Sequence, residues 1–154
     1  MKTNAIRILE LKKILHTTLE YEFNENEIDA VSVAKKIGVE PETVFKTLVA
    51  RNEKNELLVF VIPAIFELNL KKAALASSNK KIEMIAVKEL QPLTGYIRGG
   101  CSPVGMKKLF PTFIDETAQL HDEIFVSAGM RGMQIKLSPV DLAQVTKAKF
   151  ADLV

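Results

Sequence analysis

Leu57-Leu58-Val59-Phe60-Val61-Ile62 is apolar on both sides of any extended strand. Side chains alternate faces along a strand, so a half-exposed strand shows a polar residue at every second position. This run shows none, which predicts a strand buried on both faces near the middle of a sheet. The polar segment Asn52-Glu53-Lys54-Asn55-Glu56 separates it from a second extended stretch, residues 45–51. Together they read as a β-hairpin. Within the first arm Phe45, Thr47 and Val49 share one face; Lys46, Leu48 and Ala50 share the other.

Working outward, residues 5–15 carry Ile8, Leu9, Leu11 and Leu15 at helical spacing behind Asn4 as cap. Residues 17–23 alternate, with Leu19, Tyr21 and Phe23 on one face, and read as a strand. Residues 24–29 are a polar loop, 30–37 a helix stopped by Gly38, and Pro41 opens another short helical turn. Beyond the hairpin, 68–76 reads as helix, 81–86 as strand, 87–90 as a helical turn and 95–98 as a short strand. Residues 112–115, 123–127 and 133–137 are three further strands. Ser138 caps a last helix, with Asp141 in the capping-box position, that runs to about Lys149. Six or seven strands among five or six short helices, without regular βαβ alternation, predict an α+β fold in one domain over residues 1–154.

Composition excludes several function classes. A net charge of +2 over 154 residues is too small for a protein that coats nucleic acid. Lysine pairs recur at Lys12-Lys13, Lys35-Lys36, Lys71-Lys72, Lys80-Lys81 and Lys107-Lys108. They read as solvated surface, or as a modest phosphate-binding face if several lie together. One cysteine excludes an internal disulfide and fits a reducing cytosol, so a cytoplasmic location is expected. Two separated histidines and that cysteine cannot build a zinc site, and neither a metal nor a cofactor is expected. No apolar run reaches the roughly 20 residues that span a bilayer.

The chemistry-bearing residues cluster in three segments. Gly95-Tyr96-Ile97-Arg98-Gly99-Gly100-Cys101-Ser102-Pro103-Val104-Gly105 holds four of the seven glycines. Ser102 as N-cap and Pro103 as first helical residue predict a helix through Leu109, stopping at Pro111. Such a loop is either a tight structural turn or a cradle of N–H groups for an anion or a polarised carbonyl. Lys46, at the start of its strand, is either a snorkelling side chain or a ligand for a phosphate, ribose or carbonyl oxygen. Ser127-Ala128-Gly129-Met130-Arg131-Gly132 is either a plain hairpin turn or the opposite lip of the same pocket. His16 reads as a helix C-terminal residue and His121 as a loop residue. Cys101 lacks a histidine partner, and a lone cysteine is usually a small buried side chain. Asp115 and Glu116 are adjacent and face opposite ways, and there is no Walker loop. The residues alone lead to a pocket without an evident nucleophile.

Val44-Phe45-Lys46-Thr47-Leu48-Val49, the Gly95 to Pro103 segment and the Ser127 to Gly132 segment together resemble the YbaK/EbsC family. These are freestanding relatives of the editing domain of bacterial prolyl-tRNA synthetases. The tail Ala148-Lys149-Phe150-Ala151-Asp152-Leu153 is similar too, and order and spacing match from about Ala5 onward. The resemblance implies a mixed sheet curled into a barrel-like core with short helices around it. It implies an aminoacyl-tRNA deacylase that removes cysteine from mischarged Cys-tRNA(Pro), and from Cys-tRNA(Cys) as an extension, acting beside prolyl-tRNA synthetase.

The family's lysine and threonine fall on Lys46 and Thr47, and its GxxxP loop on Gly99, Gly100, Cys101, Ser102 and Pro103. Its serine–glycine loop falls on Ser127 and Gly129, beside Arg131, and its tyrosine on Tyr21. Two positions depart: an aspartate of some members falls on Gln134, and a phenylalanine on Ile28. In the YbaK branch the substrate's own thiol serves as nucleophile. The resemblance therefore assigns oxyanion stabilisation to the amides of Gly99, Gly100 and Cys101 and positioning to Lys46. Two alternatives stand beside this: water-mediated hydrolysis of Ala-tRNA(Pro), and a non-catalytic tRNA- or synthetase-binding regulator.

Overall fold

The computed structural model describes residues 2–154. The hairpin is there as read: β2 (Phe45–Asn52) pairs antiparallel with β3 (Leu57–Pro63). β3 is the middle strand of a five-stranded sheet that also takes β4 (Ile82–Met84), β5 (Thr112–Asp115) and β8 (Lys149–Ala151), in the order β4-β2-β3-β5-β8. The contacts β3–β5 and β5–β8 are parallel; the others are antiparallel. The period-2 argument explains its burial. Val59 and Val61 enter one core, whereas Leu58, Phe60 and Ile62 enter a second on the opposite face, beneath α3 (Leu70–Ala76). There Phe60 stacks on Phe113 with ring centroids 5.7 Å apart.

A separate three-stranded antiparallel sheet has the order β1-β7-β6, from β1 (His16–Glu20), β6 (Ile124–Ser127) and β7 (Met133–Leu137). Met133, Ile135 and Leu137 face the first core, along with Ala5, Ile6 and Leu9 of α1 (Asn4–Leu11). The opposite face of this sheet carries Leu19 and Phe125 and packs under α2 (Ala30–Ile37). One parallel bridge, Val44 to Phe125, links the two sheets just before β2 begins. The sheets do not close into a barrel, which corrects the barrel-like core implied by the resemblance. The α+β class stands.

Several boundaries differ from the sequence reading for identifiable reasons. Thr3 caps α1 in place of Asn4: its hydroxyl accepts from the Ile6 N–H and donates to the Ala128 carbonyl. Asn4 instead donates to the Gly105 carbonyl at 2.8 Å. α1 ends at Leu11, leaving Leu11 and Leu15 exposed, and His16 opens β1 with its ring Nδ1 2.8 Å from the Ile14 carbonyl oxygen. β1 stops at Glu20, so Tyr21 and Phe23 are outside it. The turn at 87–90 extends into α4 (Val87–Thr94).

Residues 95–98 form no strand, and no helix follows Ser102: residues 99–111 are irregular. Ser102 Oγ accepts from the Val104 N–H at 3.2 Å, which closes one local turn. The last helix, α5 (Pro139–Thr146), stops three residues early, and β8 follows it. Tertiary contacts explain that strand. Buried Asp115 accepts from the Leu153 N–H at 2.9 Å, and the Leu153 carbonyl accepts from Asn69, so the chain end is held along β5.

Candidate active site

The Val44–Phe125 bridge leaves an opening where β2 departs from the three-stranded sheet. A cavity of about 520 Å³ lies there, a size typical of sites for nucleoside-sized ligands. β2 supplies Phe45, Lys46, Thr47 and Leu48; the glycine loop supplies Arg98, Gly99 and Cys101. Ser127 and Gln134 come from β6 and β7, where they are cross-strand partners. The segment before α2 and its first turns complete the wall with Glu25, Asn26, Ile28, Asp29, Ala30, Val31 and Val33.

Seven sequence candidates thus meet in one cavity: Ile28, Lys46, Thr47, Gly99, Cys101, Ser127 and Gln134. Tyr21 does not join them. It lines a neighbouring hollow with Glu22, Phe23 and Lys36, and its N–H donates to the Gly132 carbonyl at 2.9 Å. Ser102 and Pro103 are buried beneath the loop. Arg131 acts from outside the cavity: its Nε donates to the Arg98 carbonyl at 2.9 Å and ties the two lips together. A Cβ on Gly100 would stand 3.0 Å from the Met130 and Arg131 backbone, which is the close approach the second glycine permits. The sequence reading missed Glu25, Asp29 and the start of α2. The signal present was the amphipathic pattern of 30–37, which says that one face is covered but not by what.

The wall carries two cations, Lys46 and Arg98, and two exposed carboxylates, Glu25 and Asp29. Lys46 is half-buried and takes part in none of the ion pairs among the described residues. Asp29 caps α2, accepting from the Ser32 N–H and hydroxyl at 2.9 and 2.8 Å, and the Ser32 N–H holds its carboxyl below the usual range. The Gly100 N–H donates to the Ile97 carbonyl at 2.9 Å. That removes Gly100 from the expected set of oxyanion donors. Among the described residues, neither the Gly99 nor the Cys101 N–H meets a backbone acceptor. No three His, Cys, Asp or Glu side chains of the described residues come together to hold a metal.

Cys101 lines the cavity, yet burial pushes its thiol up to about 12, against a weaker opposing hydrogen bond from Thr94. A neutral thiol is a poor nucleophile. Cys101→Ser keeps the main-chain N–H and removes only a protonated thiol, so any activity seated in this cavity is expected to change less than about threefold. Rates of both proteins on the same substrate check this. Burial also pushes Tyr96 up to about 12. Both groups hold their protons in the folded chain above the pH at which the unfolded chain releases them. Their contribution is therefore complete below about pH 9 and is lost as pH rises toward 12. Denaturant midpoints at pH 7 and pH 10.5 should show the second lower; equal midpoints would contradict it.

Comparison with known proteins places this geometry. The family model described as "Aminoacyl-tRNA editing domain" matches residues 25–145. EbsC of Enterococcus faecalis, provisionally named a Cys-tRNA(Pro)/Cys-tRNA(Cys) deacylase, is 49% identical over 152 residues, 99% of this chain and 93% of its own. The chain belongs to the aminoacyl-tRNA editing domain family, in its YbaK/EbsC branch. YwhH of Bacillus subtilis, a protein without an assigned role, is 24% identical over 83% of this chain and 81% of its own. A crystal structure described provisionally as a trans-editing enzyme for prolyl tRNA synthetase superposes with TM-score 0.83 at 25% identity, over 99% of this chain and 98% of that one. The editing-domain match begins at Glu25, in the segment that forms the cavity mouth, and extends past β7, so it includes the cavity wall. Among the described residues no helix is long and apolar enough to cross a membrane.

Proposed function

We propose that this editing-domain protein is a freestanding deacylase of Cys-tRNA(Pro), working as a single domain. The reading is supported by Lys46, which makes no ion pair among the described residues, and by Gly99 and Cys101, whose N–H groups meet no backbone acceptor among them; all three line one cavity, in a chain 49% identical to EbsC. Lys46 holds the terminal phosphate or ribose of the charged tRNA. The Gly99 and Cys101 N–H groups face the ester carbonyl. The substrate's thiol, having given its proton to water, attacks that carbonyl as a thiolate; the S–C bond forms and the bond to the ribose oxygen breaks. The ribose oxygen takes up a proton, and the cysteinyl group leaves as a thiolactone.

The cavity wall supports a substrate-supplied nucleophile because the one protein thiol there stays protonated. A reference thiol has a pKa of about 8.5, so a useful fraction ionises near neutrality. Intramolecular attack at effective molarities of about 10⁵ M or more needs little beyond correct placement. One oxyanion donor contributes on the order of 3 kcal/mol. Serine's hydroxyl ionises far less, and alanine has no internal nucleophile. The small net charge favours selection of the tRNA body through a complex with prolyl-tRNA synthetase.

Purified protein with Cys-, Ser-, Ala- and Pro-charged tRNA(Pro) tests the reading. Release of cysteine with trapping of a thiolactone is the expected result. Cleavage of Ala-tRNA(Pro) with Cys-tRNA(Pro) left intact replaces the thiol route by water attack. No cleavage of any of the four removes the enzyme reading and leaves the binding regulator.

A further inference from the structure

Two adjacent side chains at the start of α1 hold the backbones of both glycine loops. The Thr3 hydroxyl donates to the Ala128 carbonyl, and the Asn4 side-chain amide donates to the Gly105 carbonyl at 2.8 Å. The acceptors belong to different segments: Gly105 lies in the irregular stretch that begins at Gly99, and Ala128 opens the turn that ends at Gly132. Both loops come close to the helix. A Cβ on Gly105, at φ +81°, would stand 3.0 Å from Asn4 Nδ2 and 2.8 Å from the Tyr96 hydroxyl, so only a bare residue fits there. A Cβ on Gly129 would touch Thr3 Cβ at 3.4 Å.

α1 is firmly seated. Ala5, Ile6 and Leu9 are buried in the first core, and Thr3 caps the helix by accepting from the Ile6 N–H. Thr3 and Asn4 lie outside the cavity wall, and the editing-domain match begins only at Glu25. Whatever they do for the site, they do through the loops. One tie already joins the two loops beside the cavity, from Arg131 Nε to the Arg98 carbonyl. The first turn of α1 supplies a second, away from the cavity.

We infer that Thr3 and Asn4 form a brace that sets the spacing of the two glycine loops and thereby aims the Gly99 and Cys101 N–H groups. Both are positioning residues; neither touches substrate. For the reaction this rests on the deacylase reading above; for the shape of the loops it does not. An oxyanion donor acts only where its N–H is aimed at the reacting oxygen. A misplacement of about 1 Å, even from a change far from the chemistry, costs on the order of 100-fold in rate.

Thr3→Asp and Asn4→Asp, singly and together, are the test. Aspartate still caps α1 at position 3 and suits the first turn of a helix at position 4, but its carboxylate has no proton to donate to either carbonyl. Thr3→Ser keeps the donor. Three quantities are measured: single-turnover deacylation of Cys-tRNA(Pro), calorimetric binding of amide-linked cysteinyl-adenosine, which cannot be cleaved, and amide hydrogen exchange in the free protein. Each aspartate variant should lower the rate by about tenfold or more while keeping affinity for the analogue within about threefold. A strap cut at one end is already cut, so the double variant should be no more than about twofold slower than the slower single; independent effects would multiply. Thr3→Ser should stay within about twofold of the unaltered chain. The Gly100 and Val104 amides in Asn4→Asp, and the Ala128 and Gly129 amides in Thr3→Asp, should exchange about tenfold faster, with those of the β2–β3 hairpin unchanged. Rates within twofold of the unaltered chain in both single variants overturn the inference. So do multiplied losses in the double variant. Faster exchange spread evenly through the hairpin overturns it too, because the two contacts would then serve global stability. Failure of the unaltered chain to cleave any charged tRNA overturns the deacylase reading instead, and the exchange pattern alone then decides the brace.

Discussion

Lys46→Ala is expected to lower deacylation of Cys-tRNA(Pro) by between about 10- and 100-fold. A hydrogen bond to a charged group contributes roughly 1.5–3 kcal/mol, and each 1.4 kcal/mol is about tenfold in rate. Lys46 is suited to such a contact because it lines the cavity without a carboxylate partner to compete for it. The same isolation means that its removal breaks no ion pair, so the fold should persist. Lys46→Met keeps the apolar stem against the cavity wall and should lose as much activity as the alanine variant. Single-turnover rates beside thermal melts check both. An unaltered rate in Lys46→Ala, with normal melting, refutes the positioning role.

Gly129→Ala should be strongly disruptive, costing about 2–5 kcal/mol. Gly129 has φ +101°, and a Cβ there would stand 2.8 Å from Tyr96 Cε1. The left-handed backbone accounts for roughly 1–2 kcal/mol and the overpacking for about 1–3. Tyr96 cannot easily yield, because it is buried and its hydroxyl donates to the Val104 carbonyl at 2.7 Å. Any movement passes to the Val104 turn and so to the glycine loop, and activity should fall with stability. Gly38→Ala isolates the backbone effect. Its φ is +74°, yet a Cβ meets nothing within 4 Å, so only about 1 kcal/mol should be lost. Denaturant midpoints of the two variants check the difference; equal losses would show that Tyr96 does move aside.

The hairpin and β5, β6 and β7 were legible because alternation and apolar runs are local signals. α2 was legible because Gly38 gives it a clear stop; that Asp29 caps its start came only with the structure. The helix expected after Ser102 was not formed, although Ser102-Pro103 is a sound start signal. Ser102 and Pro103 are instead buried in a loop held by Tyr96 from within the same segment and by Asn4 and Arg131 from distant parts of the chain. β8 was hidden for a related reason: its three residues carry no strand pattern, and pairing with β5 together with the hydrogen bonds of Leu153 to Asp115 and Asn69 holds them extended. Tyr21 shares a local pattern with Leu19, but β1 ends at Glu20 and the chain turns before Tyr21 can face the cavity.

By itself the chain of residues determined the class of the fold, the central place of residues 57–62, and the three segments that carry the chemistry, since these depend on periodicity and on local turn chemistry. The tertiary structure alone decided that the Gly100 amide is occupied, that burial holds the proton on the Cys101 thiol, and that Gln134 is buried in the cavity wall with its Oε1 unpartnered among the described residues. Those are properties of burial and of partners brought from distant strands and helices. No spacing within one segment encodes which atoms will be left without water and without a mate.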